Sequence, residues 1–331
     1  MIEKAFDITE RMLTFSLELA RETGAKAVVV YADVFRNPEA AQAFEDRDKT
    51  VRIVYVTRSP DVSKRFQTLG CTAFQVPDIR LARAGQIKMA ILVGFSRGIF
   101  ANGDRLICLT GIAKSGVLDS VVCMKVGEEF EMFSQTGVQE ISHHADSEVF
   151  ERVVDIAVAL ANEGREGKPV GTTFLLGDPE KILQHTSEMI LNPFRGYAPE
   201  ERNILDPSLE PTIKELSTID GAFVISEKGI VEKAGVYIRV AAGTTGLPRG
   251  LGARHHSAAA ITSVTESTAI TVSESTGTVT IFRGGKILME IEAPRRIGPR
   301  TKATDEFFKD AKATGALVGD LENGESGKEN P

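Results

Sequence analysis

Three short stretches in the second half of the 331-residue sequence have residue types and spacings that could do chemistry. The first, Asp220-Gly221-Ala222, places a carboxylate beside a glycine at the start of an apolar run. A carboxylate in that position could hold a divalent cation, and the glycine would let a ligand approach the backbone closely. Taken alone, an Asp-Gly pair before a strand is more often an ordinary turn.

The second stretch is a glycine-rich loop at residues 243–252, followed by Arg254, His255 and His256. The backbone N–H groups of such a loop, the arginine, and the positive end of a helix beginning near Ser257 would suit a polyphosphate. The histidines add a possible metal ligand. A flexible hairpin loop beside a surface histidine pair explains the local pattern equally well.

The third stretch, residues 272–277, reads Val-Ser-Glu-Ser-Thr-Gly and combines a strand end with a hydroxyl-rich turn. By itself it is more typical of a solvated turn than of a site. None of the three stretches is decisive alone.

The elements that must position these stretches fall into two halves. In the first half the pattern alternates between helices and buried strands, which predicts a layered α/β domain with a mainly parallel sheet over residues 1–145. The first helix shows Ile8, Met12, Phe15 and Leu19 at helical spacing. The other predicted elements are helices at 38–46, 62–69 and 78–84, strands at 27–31, 51–56, 71–76 and 89–93, and a closing β-pair at 105–110 and 120–126.

The second half, residues 146–300, predicts an α/β domain with a central mixed sheet flanked by helices. Its predicted helices lie at 149–162, 179–190 and 209–217, its first strands at 170–176 and 220–226, and nearly all the rest is strand. The tail, residues 301–331, is rich in Gly, Glu, Asn and Lys and has too little apolar area to offset its ordering entropy, so we expect it to be disordered.

The amino-acid composition argues against several classes of function. The formal net charge is −7, from 39 lysines and arginines against 46 aspartates and glutamates, which argues against a nucleic-acid coat or a binder of anionic membranes. The three cysteines form no CxxC pair and are expected to be reduced and buried. No apolar run is long enough to span a bilayer and the N-terminus has no secretion signal, so we expect a cytoplasmic protein.

Taken together, in their order and spacing, the three stretches resemble the diadenylate cyclase family. The family's Asp-Gly-Ala motif matches residues 220–222, its Gly-Thr-Arg-His-Arg motif matches 252–256, and its Val-Ser-Glu-x-Thr-Gly segment matches 272–277. Residues 163–171 and Asn192-Pro193-Phe194 also look like that family. The resemblance covers about half of the chain, from near residue 146 to near residue 291.

The resemblance implies an enzyme that joins two ATP molecules into cyclic di-AMP with release of two pyrophosphates. It implies a divalent metal, Mn²⁺ or Mg²⁺, and a homo-oligomer whose cyclase domains meet face to face. The residues it assigns are catalytic Asp220, Arg254 and His255; metal-binding Asp220, His255 and Glu274; and ATP-binding Gly221, Ala222, Ile238, Gly252, Arg254, His256, Ser273 and Thr276.

Two positions depart from the family pattern, since Ala253 replaces a threonine and His256 replaces a second arginine. Histidine lacks the permanent charge and the bidentate fork of arginine. Arg249 or Arg283 could compensate for the lost group. The alternative is an inactive cyclase-like domain that senses ATP or cyclic di-AMP.

The first half resembles the C-terminal regulatory domain of pyruvate kinase, on residues 24–30, 51–57 and 103–111. This resemblance implies an effector-binding or oligomerising role. A second alternative is a pyruvate-kinase-related phosphotransferase that uses this half, although no catalytic barrel accompanies it.

Overall fold

The computed structural model describes residues 2–35, 49–78, 81–111, 116–127, 146–165, 170–240, 247–248 and 250–292, with side chains from residue 8 onward. The helix predicted at 38–46, the tail at 301–331 and half of the glycine-rich loop, residues 243–246 and 249, lie outside the described residues. Residues 1–294 form one compact unit, and the domain boundary near residue 145 stays a prediction.

The first half contains a five-stranded sheet with the order β3-β2-β1-β4-β5. Strands β1 to β4 run parallel and β5 pairs antiparallel with β4, which confirms the mainly parallel sheet. All five residues of β1 and of β2 are buried, because helices cover both faces of this part of the sheet. The elements are helices α1 Ile2–Thr23, α2 Pro60–Thr68 and α3 Arg83–Ser96, and strands β1 Ala27–Tyr31, β2 Ile53–Thr57, β3 Thr72–Gln75, β4 Arg105–Thr110 and β5 Ser120–Lys125.

The second half contains a seven-stranded mixed sheet with the order β12-β11-β10-β6-β8-β9-β7. Strands β6 and β8 are parallel and their other pairings are antiparallel. Helix α4 packs on one face and α7 on the other, which confirms the mixed sheet flanked by helices. The elements are helices α4 Ser147–Glu163, α5 Pro179–Gln184, α6 Glu210–Leu216 and α7 Ala253–Val264, and strands β6 Thr172–Gly177, β7 Thr186–Glu188, β8 Ala222–Ser226, β9 Val231–Ile238, β10 Thr268–Val272, β11 Val279–Arg283 and β12 Lys286–Ile291.

The strand predicted at residues 89–93 is wrong, because these residues lie in the middle of α3. This helix contacts β4 on one side and both α4 and β12 on the other. Most of its residues from Gln86 to Ser96 are therefore buried, and the helix is apolar around most of its circumference. An unbroken apolar run of this kind does not distinguish a buried strand from a buried helix.

Three further predictions are corrected. The helix predicted at 78–84 is not helical at 78, 81 and 82, since α3 begins at Arg83. The helix predicted at 179–190 ends at Gln184, and the chain then forms β7, which pairs antiparallel with β9 at the sheet edge. In α1 the face that packs on the sheet carries Leu13, Leu17 and Ala20, whereas Ile8 and Phe15 are 44% and 51% exposed. None of the described helices is both long and apolar enough to span a membrane.

The two sheets share a core that runs through α3 and α4. Polar contacts fix the junction: Arg97 donates to Glu151 through Nη2 at 2.6 Å and through Nε at 2.8 Å, and the Ser96 hydroxyl donates to the same carboxylate at 3.1 Å. On the other side, Lys88 Nζ donates to the backbone carbonyl of Glu290 at 3.3 Å. The first half therefore contacts β12 directly.

Asp155 on α4 is a partly buried residue beside this junction, and its Oδ1 atom is fully buried. Burial raises the pKa of Asp155 from 3.8 to about 7; the Arg152 and Arg97 charges oppose that shift, and the Glu151 and Glu210 charges add to it. Its Oδ1 atom has no hydrogen-bond partner among the described residues. Because the unfolded chain ionises this group at lower pH than the folded protein does, its contribution to stability is largest below pH 3.8 and is lost as the pH rises to about 7.

We expect Asp155→Asn to raise the free energy of unfolding at pH 8 by ~2 kcal/mol, because the amide never has to carry a buried charge. The gain should be smaller at pH 5, and denaturant titrations at the two pH values measure the difference. Glu148→Gln, an exposed change on the same helix, is the matched control and should have little effect at either pH. An equal gain for Asp155→Asn at both pH values would contradict the assignment.

Candidate active site

A cavity of about 1020 Å³ opens at one end of the seven-stranded sheet. At this end the parallel strands β6 and β8 begin and the antiparallel strand β10 ends, as the pairings of Thr173 with Ala222 and of Thr172 with Val272 show. The N-terminus of α7 also lies here, since Gly252 to Arg254 line the cavity. The sheet topology thus brings all three sequence stretches to one place. The volume is at the upper end of the range for sites that bind small molecules.

Arg254 joins the first and third stretches. Its Nη2 lies 2.8 Å from Asp220 Oδ1, and its Nη1 lies 3.3 Å from Glu274 Oε2. The two carboxylates are largely exposed, at 79% and 61%, while the arginine is 34% exposed. One guanidinium therefore holds together two acids that would otherwise repel each other.

Gly171, just before β6, forms the floor beneath this guanidinium. A Cβ atom at this position would lie 2.6 Å from Arg254 Nη1, 3.1 Å from Arg254 Cζ and 3.0 Å from Glu274 Cβ. Real Cβ atoms do not approach another atom as closely as 2.6 Å, and Nη1 is the end of a flexible side chain, so a larger residue would displace the guanidinium from this position.

Gly221 is required for a different reason from the one that the sequence suggested. Its φ of +116° lies in the region that favours glycine, and a Cβ atom there would lie 2.8 Å from Cα of Gly235 on β9. The group that approaches Gly221 closely is therefore the backbone of the neighbouring strand β9. This contact fixes the backbone immediately after Asp220, where the carboxylate enters the cavity.

His255 lines the cavity but packs against the sheet. Its Nε2 lies 3.4 Å from the Thr280 hydroxyl, and its ring meets Phe282 edge-on at 5.9 Å between ring centroids. Burial, followed by the nearby His256 and Arg254 charges, lowers the pKa of His255, so the imidazole is neutral at neutral pH.

The three predicted metal ligands do not converge. Within the described ranges, no group of three or more His, Cys, Asp or Glu side chains is arranged to hold a metal ion. Asp220 and Glu274 share Arg254, whereas His255 is held by Thr280 and Phe282. The assignment of Asp220, His255 and Glu274 as metal ligands therefore stays a prediction, and the structure brings the two carboxylates together at Arg254.

Most of the residues predicted to bind ATP do meet at the cavity. Its lining includes Gly221, Ala222, Ile238, Gly252, Ser273 and Thr276.

His256 does not belong to the lining. Arg283 is 4% exposed and donates to Thr268 at 2.9 Å, at the opposite end of β11, so it cannot replace a missing arginine in the cavity. Arg249 lies outside the described residues.

Sequence reasoning missed the contribution of β12. Glu290 and Glu292 line the cavity, and Glu290 stands directly opposite Thr280, the hydroxyl partner of His255. The alternation Glu290-Ile291-Glu292 was the available signal, since it places both acids on one face of a strand. Together with Asp220 and Glu274, these residues give the lining four carboxylates.

The charge of the described lining favours cations. The lining holds four carboxylates and the guanidinium of Arg254, so a polyphosphate would be repelled unless divalent cations came with it. Carboxylate oxygens are the hard ligands that Mg²⁺ and Mn²⁺ prefer, so the residues present fit such an ion. A helix N-terminus, an arginine and these acids around one cavity fit an anionic ligand that is accompanied by divalent cations.

The comparisons with known proteins agree with this class. Residues 159–287 match the family model described as DisA bacterial checkpoint controller nucleotide-binding, and residues 9–133 match a model described as a probable sensor domain. A diadenylate cyclase from Haloferax volcanii is 35% identical over 211 residues, which cover 62% of this chain and 75% of that protein. One from Methanocaldococcus jannaschii is 29% identical over 303 residues, which cover 86% of this chain and 97% of that protein. The chain belongs to the diadenylate cyclase family.

Among solved structures, a double mutant of DacA from Staphylococcus aureus is similar at 18% identity and a TM-score of 0.31, over 51% of this chain and 95% of that one. A TM-score at this level carries no argument about the site. The resemblance of the first half to pyruvate kinase stays a prediction.

We expect Gly171→Ala to weaken the binding of ATP, the substrate that the family resemblance implies, by roughly tenfold or more, because it displaces Arg254. The change should leave the thermal unfolding temperature nearly unchanged, since the backbone of Gly171 is not left-handed. Calorimetric titration with ATP and Mn²⁺ measures the affinity.

The same substitution made in an Arg254→Ala protein provides the control. If Gly171 acts through the arginine, it should cause no further loss of affinity there. Additive losses in the double variant would show that Gly171 acts in some other way.

Proposed function

We propose that the protein condenses two ATP molecules into cyclic di-AMP and releases two pyrophosphates at this cavity. The observation that carries the proposal is the convergence of Asp220, Arg254 and Glu274 at the N-terminus of a helix, in a chain of this family. Cations and phosphates need such groups within reach of one another.

The two bonds of the product form by the same reaction. The 3′-hydroxyl oxygen of one ATP attacks the α-phosphorus of the other, and a new O–P bond forms. The bond between the α-phosphorus and the oxygen bridging to the β-phosphorus breaks, and pyrophosphate leaves with the electron pair. Asp220 accepts the proton of the 3′-hydroxyl as general base. Arg254 turns from the carboxylates toward the phosphates, and the N-terminus of α7 binds the same anionic groups.

Asp220 and Glu274 would hold a divalent cation, Mn²⁺ or Mg²⁺, together with phosphate oxygens of the substrate. The cation would neutralise charge on those oxygens as pyrophosphate leaves. Glu290 on β12 and Glu292, just after the end of β12, also line the cavity and would restrict the site to substrates accompanied by cations. His255 positions the start of α7 through its packing against Phe282 and Thr280.

Two ATP molecules must meet face to face, so the catalytic unit is a pair of protomers related by a twofold axis. The rim of the cavity supports such a pair, because it exposes large apolar side chains that a monomer has no reason to expose. Met189 and Tyr237 line the cavity and are 50% and 58% exposed. Nearby in sequence, Leu191 is 85% and Ile219 is 37% exposed.

The first half is proposed as a regulatory unit, consistent with its match to a probable sensor domain. Helix α3 provides the physical connection, because it packs between β4 and β12. Lys88 on this helix donates a hydrogen bond to the backbone carbonyl of Glu290 on β12. Glu290 is also one of the residues that line the cavity. A shift of α3 would therefore change the shape of the cavity wall.

The sensor alternative is less well supported than the enzyme. It rests on the loss of an arginine at position 256, and His256 does not line the cavity. The groups that do line it, Asp220, Arg254 and Glu274, match the family pattern.

Asp220→Asn should lower the rate of pyrophosphate release at least about a hundredfold while ATP still binds, because asparagine keeps the size of the side chain but cannot accept the proton. Coupled pyrophosphate assays and ATP titrations measure the two properties separately. Asp146→Asn, an exposed change at the start of α4, is the matched control and should retain activity. Full turnover by Asp220→Asn would remove this residue from the mechanism.

We also expect the specific activity to fall on dilution, because a single protomer cannot bring two ATP molecules together. If each bond needs Asp220 from one protomer and Arg254 from the other, Asp220→Asn and Arg254→Ala should each be inactive alone. A mixed pair of the two variants then keeps both groups for one of the two bonds. The mixture should accumulate the linear intermediate pppApA with little cyclic product, as mass spectrometry would show. Constant specific activity at concentrations where the protein is monomeric would contradict the paired site.

A further inference from the structure

The motif Asn192-Pro193-Phe194 has no role in the reaction proposed above. It belongs to residues 189–197, which we call the rim segment and which follow β7 at the edge of the seven-stranded sheet. The rim segment begins at the cavity, because Met189 is one of the lining residues. Further along it, three large side chains are strongly exposed: Leu191 at 85%, Arg195 at 72% and Tyr197 at 57%.

The turn that carries Arg195 is held firmly by the domain. The Asn192 side-chain amide donates to the backbone carbonyl of Glu232 at 2.9 Å, and Asn192 Oδ1 accepts the N–H of Phe194 at 3.1 Å. Phe194 is 5% exposed and packs in the hydrophobic core. The N–H of Arg195 donates to the Asn192 carbonyl at 3.2 Å, which closes the turn. The structure therefore presents this arginine to solvent from a well-anchored backbone.

The guanidinium of Arg195 lies just outside the cavity and adds positive charge there. Its Nη2 is 3.9 Å from Glu188 Oε1, whereas Lys233 Nζ is 2.6 Å from the same oxygen. One carboxylate therefore serves two cations, and the group keeps an excess of positive charge. Glu188 precedes Met189 in the chain and pairs opposite Val236, and both of these neighbours line the cavity. Arg195 itself does not belong to the lining.

The cavity has less positive charge than a bound triphosphate requires. Within its described lining, Arg254 is the one arginine or lysine, and four carboxylates accompany it. His256 replaces the second arginine of the family pattern and does not line the cavity. Divalent cations would supply part of the missing charge, and phosphate oxygens also favour charge-assisted hydrogen bonds from arginine.

We propose that Arg195 of each protomer binds phosphate oxygens of the ATP held by the facing protomer. Because Arg195 stands outside its own cavity, the cavity within its reach in a face-to-face pair is that of the other copy. Leu191 and Tyr197, exposed on the same rim segment, would pack against the facing copy and hold the arginine in place. This inference rests on the paired arrangement of the proposed function.

The first test is calorimetric titration of the full-length protein with ATP and Mn²⁺. Arg195→Ala should weaken the binding of ATP about tenfold, and Arg195→Lys should recover part of the loss because it keeps the charge but not the planar fork. Light scattering and circular dichroism should show an unchanged mass and fold for both variants.

Lys181→Ala is the matched control for this loss of charge. Lys181 is 57% exposed, pairs with Glu266 at 3.3 Å and does not line the cavity, so its removal should leave the affinity for ATP unchanged. An unchanged affinity in Arg195→Ala would overturn the proposal. An equal loss in Lys181→Ala would overturn it too, because the effect would then come from net charge alone.

A monomeric background tests whether Arg195 acts across the pair. Leu191→Glu combined with Tyr197→Glu places two charges on the rim segment outside the cavity lining, and light scattering should show a monomer. In that background Arg195→Ala should leave the affinity for ATP unchanged, because no facing cavity is present. A tenfold loss there would mean that Arg195 serves its own cavity. Either that loss or a double variant that stays paired would contradict the proposed arrangement.

Product analysis separates this inference from the proposed reaction. If the paired protein binds ATP in an Arg195-dependent way but forms no cyclic di-AMP, the inference holds and the reaction fails. If the protein forms cyclic di-AMP and Arg195→Ala binds ATP as tightly as the wild type, the reaction stands and the inference is overturned. A wild type that is monomeric with ATP and Mn²⁺ bound would also overturn it.

Discussion

The ion pairs that Arg254 makes with Asp220 and Glu274 are the contacts on which the architecture of the site depends. They connect the start of β8, the N-terminus of α7 and the turn after β10, which are distant in sequence. Their geometry requires the order of β10, β6 and β8 in the sheet, and it requires the empty space above Gly171. In the free protein the guanidinium of Arg254 pairs with the two carboxylates, and it can turn toward phosphates when the substrate binds. One group therefore neutralises charge in both states.

The integration of the two halves follows from one helix. Helix α3 lies between the two sheets, and it is therefore apolar on nearly all sides. Its burial joins the two halves, which differ in their sequence patterns, into a single hydrophobic core. Lys88 and the ion pair between Arg97 and Glu151 fix its position relative to the cyclase half. A unit that binds an effector in the first half would therefore act on β12 through direct packing, with no need for a flexible connection.

Sequence reasoning reached the two-sheet architecture and the three stretches that supply much of the cavity lining, because motif order and strand periodicity are local properties. It failed where element type or side-chain orientation depends on packing between residues that are distant in sequence. The apolar run of α3 looked like a strand, β7 was hidden in a predicted helix because only pairing with β9 defines it, and Glu290 has no motif of its own. His255 was expected to bind a metal, but its orientation depends on Thr280 and Phe282 from a strand that follows it in sequence.

The reaction proposed for this cavity joins two ATP molecules through two phosphodiester bonds. The decisive measurement is mass-spectrometric identification of the product that the purified protein forms from ATP and Mn²⁺. We expect a cyclic dinucleotide of two AMP units, with two pyrophosphates released for each product molecule. Unchanged ATP bound tightly to the protein, or hydrolysis to ADP and phosphate without a dinucleotide, would contradict it.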